Sequence, residues 1–183
     1  MLELIIPSQE YLNAETNEFI YTNEQKICLE HSLISISKWE SKWHKSFLSL
    51  GPSNKEEWID YIRCMTLTQK VSPDTYVAFY TTPGLFNAVI EYIKDPMTAS
   101  SVTDRNPNKP VPKKQIITSE LIYYWMIVRE IPFECEKWHI NRLLMLMKIY
   151  DAKNSSTKMS KKDTLNEYRA INAARRAASK SKG

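Results

Sequence analysis

The chain has little glycine and little cysteine, with three of each among its 183 residues. Three glycines are too few for a glycine-rich phosphate loop, a dinucleotide-binding fingerprint or a barrel with many tight turns. The cysteines, Cys28, Cys64 and Cys135, are an odd number spread along the chain and do not make a disulfide framework. We therefore expect a cytoplasmic protein with reduced thiols and no bound cofactor.

Long hydrophobic runs are also missing. The densest apolar block lies at 116–150, and charged residues interrupt both of its halves before either reaches the roughly 18 apolar residues that a membrane span needs. The first apolar run contains Glu3 and stops at Pro7, which is unlike a secretory signal peptide. The sequence predicts neither a membrane contact nor a leader.

Charge is unevenly placed along the chain. Residues 151–183 contain nine Lys or Arg against three Asp or Glu, a net charge of +6. The remaining 150 residues contain 16 against 18, a net charge of −2. This asymmetry predicts a nearly neutral body at 1–150 and a basic arm at 151–183.

Hydrophobic periodicity predicts a mainly α (α+β) fold with a small β element at the N-terminus. Short strands are expected at 2–7 and 19–22, which could pair with each other, whereas 25–29 either extends the second strand or starts a helix. Apolar residues recur at helical spacing in several further segments. We predict helices at 29–47, 56–67 and 85–93, a short helix at 72–80, and a loop at 98–114.

The block at 116–150 is predicted to form a buried helical hairpin. Residues 121–128 have almost no polar face, so the helix they form should be surrounded by protein. Pro132 ends this helix because proline cannot continue the hydrogen-bond ladder. Glu134 and Glu136 suit the positive end of a second helix. We expect this hairpin to be the centre of the core.

The basic arm is predicted to be helical and separable from the body. A hinge is expected at 154–157, where Asn, Ser and Thr follow one another. Leu165, Tyr168, Ile171 and Ala174 then form a narrow amphipathic stripe.

Two pairs of residues could hold a metal ion or form a catalytic dyad. Cys28 and His31, with Cys135 and His139, supply four ligand types that zinc accepts. Their spacings differ from those of known zinc folds, and no acid is clearly placed to orient His139. Partly buried structural side chains are the favoured interpretation. We therefore predict no catalytic, cofactor-binding or metal-binding residues.

The pairs Glu56–Glu57 and Glu134–Glu136 lie where first helical turns are predicted. Compensation of the helix dipole explains these acids without an acid–base role.

The candidate partner-binding residues are aromatic or basic. Trp39 and Trp43 lie one helical turn apart among lysines, where they either cover the core or form an interface. Arg175 and Arg176 could neutralise phosphates, but Tyr168 is the arm's one aromatic residue and gives little support for base stacking. We predict that these five residues contact a partner.

Three segments in order resemble proteins of the tail genes of tailed bacteriophages. They are ISISKWESKW at 34–43, EEWIDYIRCMTLT at 56–68 and IPFECEKWHINRLL at 131–144. The segments MSKK at 159–162 and NAARR at 172–176 are also similar to that group. The resemblance covers most of the chain except the loop at 98–114, and the proteins it points to are called tail assembly chaperones.

This resemblance implies a non-enzymatic helper in the host cytoplasm. It would coat the tape-measure protein, bring tail-tube subunits to it and be absent from the finished virion. Two alternatives stay open: a structural protein of the tail or the head–tail connector, and a nucleic-acid-binding accessory protein that uses the arm. Self-association is compatible with each of them.

Overall fold

In the computed structural model the chain forms two compact units, residues 1–147 and 148–183. The structure describes residues 1–13, 15, 17–101, 115–156, 165, 168–173 and 175. The fold is mainly α (α+β), as predicted. The predicted boundary between body and arm, at 150/151, lies within one helical turn of the division between the units.

A long antiparallel β-ribbon opens the chain. Strands β1 (Leu2–Ile6) and β4 (Gln25–Leu29) form its base, and β2 (Gln9–Asn13) and β3 (Glu18–Thr22) form its tip. The register is continuous from the base to the tip. Ile6 pairs with Gln25, and Gln9, three residues after Ile6, pairs with Thr22, three residues before Gln25. The base buries Ile6, Ile27 and Leu29 completely.

The predicted pairing of the first two strand segments is wrong. The segment 2–6 pairs with 25–29, and 18–22 pairs with 9–13, a stretch whose polar residues did not indicate a strand. Pairing of β1 with β4 puts Leu2, Leu4 and Ile6 on the same core-facing side as Ile27 and Leu29, which fixes the register, whereas Ile5 is exposed on the other side.

Helices α1 (Leu33–Trp43) and α2 (Lys55–Met65) pack against each other beside the ribbon base. Ser32 caps α1, where its side chain and that of Ser35 form a reciprocal capping box. Asn54 caps α2 by accepting a hydrogen bond from the N–H group of Glu57. The helix predicted at 29–47 is therefore shorter at both ends, because Leu29 belongs to β4 and α1 ends at the left-handed residue His44.

The middle of the chain contains short helical elements. A 3₁₀ turn (Pro73–Val77) leads into α3 (Ala78–Thr81), which confirms the short helical segment predicted at 72–80. Gly84, with φ of +88°, precedes α4 (Leu85–Lys94). Within the predicted loop at 98–114 the structure describes residues 98–101, which are neither helix nor strand, and the rest lies outside the described residues.

The apolar block does not form the predicted hairpin. Helix α5 (Ser119–Val128) packs against α1, and so does the 3₁₀ turn Phe133–Lys137 that contains the predicted start of the second helix. Helix α6 (Ile140–Ser156) begins after this turn. Pro132 follows the end of α5 as predicted, but the 3₁₀ turn between α5 and α6 itself packs against α1.

The core lies between the ribbon base, α1, α2, the helical elements at 73–94 and the block at 116–147. A stacked pair, Phe47 and Tyr61, stands at its centre with ring centroids 3.9 Å apart, and Trp39 meets Phe47 edge-on at 5.3 Å. The largest fully buried side chains include Trp39, Tyr61, Phe79, Leu33, Ile36, Ile62, Met65, Ile122 and Met126.

The hinge predicted at 154–157 is wrong for its first three residues. Asn154, Ser155 and Ser156 continue α6 as helix, and Thr157 lies outside the described residues. The residues described further along the arm, 165, 168–173 and 175, are helical, as predicted.

Candidate protein-binding surface

Two histidines meet in the core. His31 follows β4 and His139 precedes α6, and the N–H group of Ile140 donates a hydrogen bond to the His31 carbonyl at 2.8 Å. The two imidazole rings lie edge-on with centroids 5.0 Å apart. They are 2% and 5% exposed, so neither ring is accessible to a substrate.

Both imidazoles are held neutral by their surroundings. Nε2 of His139 lies 3.0 Å from the Tyr92 carbonyl oxygen, and Nδ1 accepts from the N–H group of Asn141 at 3.3 Å. Nδ1 of His31 is hydrogen-bonded to the Tyr61 hydroxyl. Burial, and then the neighbouring His139, lower the pKa of His31 to about 3. Burial also lowers the pKa of His139.

The cysteines do not complete a metal site with these histidines. Sγ of Cys28 points towards Glu3, 3.9 Å from Oε1, and Cys135 is buried in the 3₁₀ turn. Among the described residues no three His, Cys, Asp or Glu side chains stand close enough together to hold a metal ion. The zinc hypothesis is left with only two of its four ligands side by side, and the histidine pair has a packing role.

Several carboxylates near the two tryptophans are engaged in structural contacts. Glu57 accepts hydrogen bonds from Nζ of Lys45 at 2.5 Å and from the N–H group of Ser53 at 2.7 Å. The bond from Lys45 is the main reason that its pKa lies below the usual value. Asp60 accepts from Lys42 at 2.5 Å and from the Trp43 indole at 2.9 Å. These contacts explain the acids without catalytic chemistry.

Trp39 and Trp43, both predicted to contact a partner, occupy different environments. Trp39 is fully buried, and its indole N–H donates to the Glu57 carbonyl at 3.0 Å. A direct partner contact would require α1 to separate from α2, so Trp39 is removed from the candidate set. Trp43 is half-buried, with Nζ of Lys42 5.5 Å from its ring centroid, and stays a prediction.

The three candidate residues on the arm are accessible where the structure describes them. Tyr168 is 63% exposed on a helical segment, and Arg175 is also exposed. Arg176 lies outside the described residues. Partner contacts by these three residues remain predictions.

One face of α5 exposes large apolar side chains, and the sequence interpretation missed it. Tyr124, Ile127 and Val128 are 59%, 60% and 55% exposed and share one side of the helix at spacings of three and four residues. On the opposite side Ile122 and Met126 are fully buried. The prediction that α5 is surrounded by protein is wrong, because only the side that packs on α1 is covered. We call Tyr124, Ile127 and Val128 the α5 face.

A carboxylate of α1 fixes the position of this helix. The two oxygens of Glu40 accept hydrogen bonds from the N–H groups of Phe47 at 2.8 Å and Ser119 at 2.7 Å. The second bond satisfies a donor at the start of α5 that has no partner inside the helix. The α5 face is therefore presented on a helix whose N-terminus is anchored in the core.

Near the C-terminal end of α5 another large apolar side chain is exposed. Phe133 is 53% exposed, with its ring centroid 6.3 Å from that of Tyr123. The Tyr123 hydroxyl donates to Glu136 at 2.8 Å, which links α5 to the 3₁₀ turn. Neighbouring large side chains on a rigid helix are suited to binding an apolar helix or segment of another protein.

The fold and this surface define a mainly helical α+β protein with an exposed apolar helix face. No described helix is long and apolar enough to cross a membrane. Comparison with protein-family models, curated proteins and solved structures finds no significant match.

Proposed function

We propose that this protein is a non-enzymatic assembly chaperone of a phage tail, which binds the tape-measure protein and helps to recruit tail-tube subunits. The tail-gene resemblance at 34–43, 56–68 and 131–144 supplies the biological setting. The α5 face supplies the single structural observation that supports binding, because three adjacent large apolar side chains are more than half exposed.

The chemistry of the α5 face fits a helical client. A chaperone for a long helical protein needs to cover apolar positions that recur every three or four residues. Tyr124, Ile127 and Val128 present that same spacing, and their burial on binding would remove apolar area from water at a gain of about 25 cal/mol per Å². Binding of this kind is expected to persist at high salt.

Co-expression with the tape-measure and tail-tube proteins tests the proposal. Ile127→Glu places a charge in the centre of the α5 face and is expected to weaken tape-measure binding at least about tenfold. Leu67→Glu is the matched control, since Leu67 is 54% exposed outside α5. Retention of full binding by Ile127→Glu, or equal loss by Leu67→Glu, would reject the α5 face as the client site.

Mass spectrometry of purified virions separates a chaperone from a structural protein. A chaperone is expected to bind the tape-measure protein in infected cells and to be absent from the virion. Stoichiometric presence in virions would instead support a building block of the tail or connector.

The basic arm favours a second candidate function, nucleic-acid binding. Residues 151–183 carry a net charge of +6, and Arg169 and Arg175 are exposed. Binding through phosphates is expected to fall steeply as salt rises. Titration with duplex DNA and single-stranded RNA from about 50 to 300 mM salt distinguishes it from the apolar binding expected of the α5 face.

A further inference from the structure

The tip of the β-ribbon has an exposed outer face. Leu12 pairs with Phe19 and Glu10 pairs with Tyr21, so these four side chains point to the same side. Leu12, Phe19 and Tyr21 are 51%, 61% and 70% exposed, and the Tyr21 hydroxyl donates to Glu10 at 2.9 Å. We call these four residues the ribbon face.

The opposite side of the tip turns towards the body. The side chain of Gln9 is hydrogen-bonded to Thr82 and accepts from the Thr81 hydroxyl at 2.8 Å. Ile20, on the same side as Gln9, is half-buried. The ribbon is therefore held from one side, and its apolar outer face has no cover within the described residues of 1–147.

The ribbon is acidic. Residues 1–25 contain five Glu and no Lys, Arg or Asp. Glu3 is paired with Lys26 at 2.6 Å, at the ribbon base. Glu10 is exposed on the ribbon face, Glu18 is exposed at the tip, and Glu24 is exposed between the tip and the base. A partner for the ribbon face therefore needs apolar side chains flanked by positive charge.

The arm of the same chain has this chemistry. Leu165, Tyr168 and Ile171 are 54%, 63% and 41% exposed and recur every third residue along a helical segment. Arg175 follows Ile171 by four residues and so shares its side of the helix. We call Leu165, Tyr168 and Ile171 the arm stripe; Arg169 and Arg175 are exposed on the same segment, and the sequence of 151–183 has a net charge of +6.

We propose that the ribbon face of one molecule binds the arm stripe of a second molecule. The apolar side chains of both surfaces become buried, and the glutamates of the ribbon meet the basic residues of the arm. Ribbon–ribbon and arm–arm pairing are opposed by like charge. Because each molecule carries both surfaces, two molecules can close as a reciprocal dimer, and larger rings or open chains form where the exchange is not reciprocal. The proposal does not depend on the client bound by the α5 face.

Charge-reversed variants of the full chain test this interface. Glu10→Lys with Glu18→Lys changes the net charge of residues 1–25 from −5 to −1. Arg169→Glu with Arg175→Glu lowers the net charge of residues 151–183 from +6 to +2 and places two carboxylates near the arm stripe. Sedimentation velocity is measured over a concentration series at about 50 mM salt, where charges are weakly screened. The wild-type protein is expected to reach roughly twice the monomer mass of 21.4 kDa or more. Each variant alone is expected to stay monomeric.

An equimolar mixture of the two variants gives the decisive result. The unchanged acidic ribbon of the arm variant then meets the unchanged basic arm of the ribbon variant, so association should return in the mixture. The pair Glu56→Lys with Glu134→Lys is the control for the ribbon variant, since it makes the same change in net charge at exposed sites outside the ribbon. It is expected to associate like the wild type. A wild-type protein that stays monomeric, or a mixture that does not associate, overturns the proposal.

Discussion

Helices α1 and α5 lie side by side and have nearly the same length, but they differ in which kinds of side chain they bury and expose. α1 buries a carboxylate, Glu40, at 7% exposure. α5 exposes Tyr124, Ile127 and Val128, each by more than half. Glu40 is tolerated inside because both of its oxygens accept backbone hydrogen bonds. The apolar side chains are outside because, among the described residues of 1–147, α5 packs against α1 through its opposite side.

Some residues of these two helices hold the fold together, and others are accessible to a partner. Trp39 and Glu40 belong to the first group. The Trp39 side chain is hydrogen-bonded to α2 and the Glu40 side chain is hydrogen-bonded to the start of α5. The α5 face belongs to the second group, since each of its three side chains is more than half exposed. Stability and client binding should therefore respond to different substitutions.

The largest expected effect is that of Trp39→Ala. The substitution leaves a large cavity beside Phe47 and Tyr61 and removes the donor to the Glu57 carbonyl. We expect a loss of about 3–5 kcal/mol in the free energy of unfolding, measured by urea denaturation. Trp43→Ala, at a half-buried site, is expected to lose less. An equal loss in both variants would break the contrast between buried and accessible tryptophans.

Glu40→Ala tests the buried carboxylate. The N–H groups of Phe47 and Ser119 then lose their acceptor inside the protein, and we expect a loss of about 2–4 kcal/mol in the free energy of unfolding. Glu56→Ala, at an exposed glutamate in α2, is the control and should change stability by less than about 0.5 kcal/mol. A neutral result for Glu40→Ala would mean that Glu40 does not anchor α5.

The buried histidines make stability depend on pH. Their pKa values in the folded protein lie below the ordinary value near 6.5, so the unfolded chain binds more protons as pH falls below that value. The contribution of the neutral histidines to the free energy of unfolding is thus fully present above about pH 6.5 and is lost on acidification towards pH 3. For His31 alone the loss at pH 4.5 is roughly 2–3 kcal/mol.

Urea unfolding at pH 7, 5.5 and 4.5 measures this dependence. His31→Gln is expected to flatten it, because the substituted residue does not titrate. His44→Asn is the control, since His44 is exposed and asparagine tolerates the left-handed backbone found there. An unchanged slope in His31→Gln would assign the acid sensitivity to other groups.

The smallest effect on stability is expected for Ile127→Glu. Ile127 is 60% exposed, so its replacement should alter the free energy of unfolding by no more than about 0.5 kcal/mol. Urea denaturation of the same preparation used for tape-measure binding makes the comparison direct. A loss above about 2 kcal/mol would place Ile127 with the residues that hold the fold, and would remove the α5 face as a separate binding surface.

Local patterns along the chain predicted much of the fold. Apolar residues at helical spacing with Asn54 before them gave α2, and the run at 85–93 gave α4. The candidate site was predicted less well. The sequence pattern around a tryptophan on an apolar helical face is the same whether that tryptophan is buried, as Trp39 is, or accessible. Exposure depends on which elements cover a face, and that information lies in residues distant along the chain.

The sequence by itself determined the helical character of the chain, the end of α5 before Pro132 and the contrast between an acidic start and a basic arm. These features follow from backbone propensity and from charge, which act locally. Only the tertiary structure decided that β1 pairs with β4, that Glu40 caps the start of α5, and that His31 meets His139. It also decided that the most apolar helix keeps one face open, because burial depends on how many neighbours an element has and not on hydropathy alone.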